Sequence, residues 1–99
     1  MQLKELITAV KEKNLSKDSL EDYRDQMSHL FAEMMVEIAE LEKEEAQFMG
    51  TKDKSESVAE MKVQWKVTKE GQRLIVLKRY SLACKELLNS LKSRLYSIY

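Results

Sequence analysis

Residues 72–99 read QRLIVLKRYSLACKELLNSLKSRLYSIY. Within them Leu74, Leu77, Ser81, Cys84, Leu88, Leu91, Leu95 and Ile98 are spaced alternately three and four apart. Taken as the a and d positions of a heptad, that spacing keeps apolar groups on one stripe of a helix. No proline or glycine interrupts it after Gly71. Lys78, Lys85 and Lys92 recur every seven residues at e, and Arg73, Tyr80, Leu87 and Arg94 occupy g. A lone helix cannot bury such a stripe, so the rest of the chain must supply a partner. One antiparallel partner does not also satisfy Leu82, Leu87 and Tyr96. An oligomer through the seam Leu74, Leu77, Cys84, Leu88, Leu91, Leu95 and Ile98 is therefore expected.

Upstream, Val58, Met61, Trp65 and Thr68 form an earlier stripe out of phase with the heptads. The slip falls near Thr68-Lys69-Glu70-Gly71, where a kink is expected in a helix over about 56–99. Before it, GTKDKS at 50–55 reads as a short loop joining antiparallel neighbours. Gly50 there suits a left-handed C-cap, and Ser55 or Ser57 suits an N-cap. A second helix is expected over about 19–49, roughly 45 Å long at 1.5 Å per residue. Leu20, Tyr23, Met27, Leu30 and Met34 set its phase, and Ile38, Leu41 and Phe48 follow after a stutter. Ser16 or Ser19 is placed to cap it. Leu3, Leu6, Ile7 and Val10 mark a first amphipathic helix over about 2–13, too short to stand alone in water. It must dock on the hairpin or on a neighbouring subunit. The expected fold is all-α. It is one domain over 1–99: a long antiparallel, coiled-coil-like hairpin with a short N-terminal helix, assembled as a homo-oligomer.

Composition agrees. Of 99 residues, 34% are charged, with two Gly and no Pro, which suits long helices with few turns. No run of about 18 apolar residues exists, so no membrane span or membrane partner is expected. The amphipathic start is too charged for a signal peptide. The single cysteine excludes an internal disulfide, and the cytoplasm is the expected compartment. The net charge is zero but polarised. Residues 1–61 hold 8 Lys and Arg against 15 Asp and Glu, a balance of −7. Residues 62–99 hold 9 against 2, a balance of +7. Either the two halves choose each other as partners, or part of the basic half is free to meet a polyanion.

Catalysis has little support. His29 and Glu33 stand at i, i+4, but no second histidine completes a metal site of the helical-bundle kind. Cys84 sits at a d position and reads as a small buried hydrophobe. Gly50 and Gly71 stand alone, so no phosphate-cradling loop is present. The methionines read as core filler. No enzyme, cofactor or metal is expected.

The basic stripe carries the functional signal. Lys62, Lys66, Lys69 and Arg73 fall at i, i+4, i+7, i+11, one face of a continuous helix. Trp65 and Tyr80 are interleaved, and Lys78, Arg79 and Lys85 continue the charge. Cations track a phosphate backbone, and exposed aromatics stack on unpaired bases. The competing reading is a solvated helix face with Trp65 buried in the hairpin. No groove-reading motif is present, so binding without sequence preference to single-stranded DNA is the expected activity.

Five further features point to a family. They are Glu45-Ala46-x-Phe48, a Ser-rich loop, Ala59-Glu60-x-Lys62, Glu70-Gly71, and the tail Glu86-Leu87-Leu88-Asn89-Ser90-Leu91-Lys92-Ser93-Arg94. Together, over roughly 32–99, they resemble small phage-encoded recombination mediators of the UvsY type. The resemblance implies a helical protein of the host cytoplasm that assembles into rings. It also implies single-stranded DNA binding through Lys62, Lys66, Lys69 and Arg73, and help in loading a recombinase. Residues 1–18 do not share it. The alternative is a protein-interaction module, either a structural coiled coil or a phage inhibitor of a host defence or nuclease complex.

Overall fold

A computed structural model of the chain describes residues 3–12, 15–50 and 57–98. The order is α1 (Leu3–Val10), α2 (Lys17–Gly50), α3 (Val58–Lys66) and α4 (Lys69–Ile98), with no strand among the described residues. The all-α hairpin expected from the heptads is present. Glu37 meets Arg73 and, further along α2, Phe48 meets Trp65 earlier in the chain, so the chain doubles back after α2.

Local chemistry sets the helix starts. Ser16 caps α2: its Oγ accepts from the Ser19 amide at 3.2 Å, and its carbonyl accepts from Leu20 at 3.0 Å. Ser57 caps α3 with a capping box. Its hydroxyl accepts from the Glu60 amide at 3.1 Å, and the Glu60 carboxylate accepts from the Ser57 amide at 3.4 Å. Gly50 is the last residue of α2 and has no positive φ, so it is not the left-handed cap that its composition suggests. The loop expected at 51–55 lies outside the described residues.

Two compact units make up the chain, Met1–Glu33 with Ser81–Tyr99, and Met34–Tyr80. In the first, α1 folds back onto the same chain. Leu6 and Val10 are buried with Leu20 and Met27 of α2 and with Cys84, Leu88, Leu91 and Leu95 of α4. Fully burying a Leu or Val side chain is worth about 1.5–3 kcal/mol, which offsets the weak helix tendency of eight residues. Arg94 completes the docking. Its guanidinium donates to the Val10 carbonyl at 2.6 Å and to the Glu12 carbonyl at 2.7 Å. The Val10 carbonyl is one that the end of a helix leaves unpaired.

In the second unit, Met34, Ile38 and Leu41 of α2 are buried, as are Met61 and Trp65 of α3 and Leu74 and Leu77 of α4. Phe48 and Trp65 stack at a 5.6 Å centroid distance with a 49° tilt. The stutter in α2 has a local cause. Leu20, Met27, Met34, Leu41 and Phe48 keep an unbroken seven-residue spacing, but the intervening position after Met34 is Glu37. Ile38 takes the buried place, and Glu37 pairs with Arg73.

The expected kink is a complete break. Helix α3 ends at Lys66 and α4 begins at Lys69. No proline is involved. The Thr68 hydroxyl donates to the Trp65 carbonyl at 2.7 Å and accepts from the Gly71 amide at 3.0 Å. One side chain thus closes α3 and caps α4. The Gln72 side-chain amide donates to the Lys66 carbonyl.

All described seam positions, Leu74, Leu77, Ser81, Cys84, Leu88, Leu91 and Leu95, are buried within the single chain. The side chain of Ile98 lies outside the described residues.

Candidate nucleic-acid interface

The cations expected to meet a phosphate backbone fall on two helices instead of one. Lys62 and Lys66 stand one turn apart on α3, and Lys69 opens α4 three residues later. All three are exposed, and none has an ion pair among the described residues. The break at Val67-Thr68 resets the helical phase. The spacing from Lys62 to Arg73 therefore does not describe one continuous face.

Arg73 is the first correction. It does not stand clear of the acidic half. Its Nε donates to Glu37 Oε1 at 2.9 Å and its Nη2 to Glu37 Oε2 at 3.2 Å, a bidentate pair. The hydrogen bond from Arg73 holds the Glu37 carboxyl below the usual carboxylate range, and the same bond raises the Arg73 guanidinium. A phosphate would have to displace Glu37 to reach it.

Trp65 is the second. It is 6% exposed and packed on Phe48, so no base can stack on it in this conformation. Burial against Met61 and Phe48 removes more apolar area from water than a surface platform would. Tyr80 is exposed on α4. Lys78, Arg79 and Lys85 are exposed too. Lys78 already takes part in another interaction. Lys85 belongs to the other unit, whereas Lys62, Lys66 and Lys69 belong to Met34–Tyr80.

Other chemistry-bearing side chains have structural partners. His29 Nε2 lies 2.9 Å from Glu33 Oε1 on an exposed helix face. No group of three metal-ligating side chains occurs among the described residues. The Cys84 thiol is buried 3.4 Å from the Met27 carbonyl, and burial pushes its pKa up, away from a reactive thiolate. Of the methionines, Met27, Met34 and Met61 are buried, whereas Met35 is exposed.

Residues that the sequence reading passed over lie exposed on α3 and at its C-cap. Val63 is 63% and Val67 75% exposed. A shallow recess there is lined by Ala59, Glu60, Val63 and Gln64. Helical spacing held the signal, because Val63 lies two residues from both Met61 and Trp65 and so points away from them.

Comparison with protein-family models, with curated proteins and with solved structures finds no match. Among the described residues no helix is long and apolar enough to cross a membrane.

Proposed function

We propose that the protein binds single-stranded DNA without sequence preference, through Lys62, Lys66 and Lys69, as an accessory to DNA metabolism. The observation that carries this reading is the exposure of those three cations, unpaired among the described residues, in a segment whose balance is +7. Each ammonium meets a phosphate oxygen as a point charge and reads nothing of the base. With Trp65 withdrawn into the hairpin, the affinity comes from phosphate neutralisation and not from stacking. Arg79, in the same unit and exposed, adds to the positive potential. A role in recombinase loading, in a phage-infected host, rests on the resemblance to UvsY-type mediators over residues 32–99.

The test is fluorescence anisotropy of labelled oligo-dT at low salt, comparing the unmutated chain with Lys62→Ala/Lys66→Ala/Lys69→Ala. Binding that is lost in the triple variant, with helicity unchanged, supports the reading. Equal binding by both moves the site elsewhere.

A protein-interaction module is the second reading, and the exposure of Val63 and Val67 favours it. A lysine-rich face that only needs water around it gains nothing from a bordering apolar ridge.

A further inference from the structure

Helix α1 occupies a seat that reads very little of its sequence. In the unit of Met1–Glu33 with Ser81–Tyr99, the buried side chains of α1 are Leu6 and Val10, four residues apart on one face. Leu3 and Ile7 are half-buried beside them. Lys4, Glu5, Lys11 and Glu12 are exposed, and none of these four has an ion pair among the described residues. The polar hold is on the backbone instead. Arg94 donates to the carbonyls of Val10 and Glu12, groups that every residue type carries. The seat therefore recognises apolar side chains at i and i+4 and the carbonyl end of a helix. A helix C-terminus carries partial negative charge, which a guanidinium favours.

The seat is well formed and its resident is weakly held. The largest fully buried side chains of the chain are Leu6, Met27, Leu91 and Cys84, all in this unit. Of these α1 supplies only Leu6, while α2 and α4 supply the floor. Eight residues are fewer than a helix needs to be stable in water, so α1 is helical because it is seated. It is joined to α2 only through residues 11–16, and the contact of Cys84 with Met27 does not involve it. Short elements at chain ends open at the low end of the range of local unfolding free energies.

We infer that the seat of α1 is a docking site for an amphipathic helix of another protein, with α1 as its displaceable resident. The binding mode is that of an apolar helix face laid in a groove. The occupant carries large apolar side chains at i and i+4, and it ends or breaks shortly after the second, so that its last carbonyls are free for Arg94. Its charges are not selected, because those of α1 find no partner in the seat. Tethered α1 competes with it as an intramolecular ligand, which sets a threshold that a longer, more stable helix passes. This goes beyond both readings of function, neither of which uses this unit. Lys62, Lys66, Lys69, Val63 and Val67 all belong to Met34–Tyr80, so failure of one proposal leaves the other standing.

Fluorescence anisotropy of a labelled peptide tests it. The probe is an amidated helix of alanine, lysine and glutamine, matched in length to residues 1–12, with Leu and Val only at the places that Leu6 and Val10 hold. Leu6→Asp/Val10→Asp opens the seat of the full chain, and Leu6→Ala opens it without adding charge. The probe should bind both variants roughly tenfold or more tightly than the unmutated chain, because α1 no longer competes. Adding Arg94→Ala should weaken that binding by about tenfold, the loss expected for a charged hydrogen bond. Circular dichroism should show no more helix lost than α1 contains. No binding to the opened variants at about 1 mM probe overturns the inference. Binding of the peptide of residues 1–12 but not of the probe also overturns it, since the seat would then be private to α1. Collapse of both variants overturns it too, because α1 would then be core. An unmutated chain that light scattering finds dimeric, and that the probe converts to monomer, gives the seat to a second copy and overturns it as well.

Discussion

The backbone of Gly71 lies against the carbonyl of Trp65. A Cβ at position 71 would sit 2.8 Å from the Trp65 carbonyl carbon, nearer still to its oxygen, and 3.1 Å from Lys66 Cα. The contact is to backbone, which cannot swing aside as a flexible side chain would. Gly71 has no positive φ, so its glycine is needed for close approach and not for turn geometry. Alanine favours a helix interior by about 1 kcal/mol over glycine. Here Gly71→Ala should nonetheless destabilise the chain by about 1–3 kcal/mol, the usual cost of overpacking. Denaturant unfolding measures it. A gain in stability would mean that the α3–α4 junction is open.

Trp65 should emit in the blue and stay unchanged when oligo-dT is added, since its ring is buried on Phe48. Phe48→Ala should shift the emission to the red and cost less than the roughly 3 kcal/mol of truncating a fully buried phenylalanine, because Phe48 is half-buried. Red emission in the unmutated chain, quenched by DNA, would restore Trp65 as a stacking platform.

The hairpin was legible because burial acts on periodicity. Every described heptad position from Leu74 to Leu95 is buried, and the break fell where the stripe of Met61 and Trp65 lost phase with Leu74. The candidate site was legible only in part. Lys62, Lys66 and Lys69 are exposed, as a solvated stripe requires. The pairing of Arg73 with Glu37 and the burial of Trp65 depend on how α2 packs against α3 and α4. Spacing within one helix carries no information on that. Thr68 was read as part of the apolar stripe and as the place of the slip, but the role of its hydroxyl was not legible: it acts on two helices, and an apolar pattern does not register hydroxyls.

Arg94 holds the end of α1 through two short hydrogen bonds to carbonyls. Arg94→Ala should release α1 while leaving the hairpin folded, because Leu20, Met27, Cys84 and Leu88 do not depend on it. Hydrogen bonds to charged groups contribute about 1.5–3 kcal/mol each at most. Hydrogen exchange should show amides of residues 6–12 exchanging at least tenfold faster, with those of 84–91 little changed. Uniform acceleration would place Arg94 in the cooperative core.

Glu37 and Arg73 are both partly exposed, so their pair contributes no more than about 1 kcal/mol. Its sign with pH is definite. The Glu37 carboxyl is lowered in the folded chain by Arg73, so the contribution is present above the ordinary carboxylate range. It is lost as pH falls through the lowered folded value. Arg73→Ala should return Glu37 to an ordinary titration, seen by carboxyl-resolved NMR. The stability difference between the two proteins should vanish at low pH. An unchanged Glu37 titration in the variant would assign the lowering to another group.

The salt dependence of oligo-dT binding tests the nucleic-acid reading most directly. For single strands the slope of log affinity against log salt is about −0.7 per phosphate neutralised. Three contacts, at Lys62, Lys66 and Lys69, give a slope near −2 on that figure. Lys66→Ala/Lys69→Ala should flatten it by about 1.4. The account predicts a slope near −2 that falls in this way, with the same affinity for mixed-sequence strands. No binding at tens of micromolar in low salt, or a slope indifferent to the lysine substitutions, would contradict it.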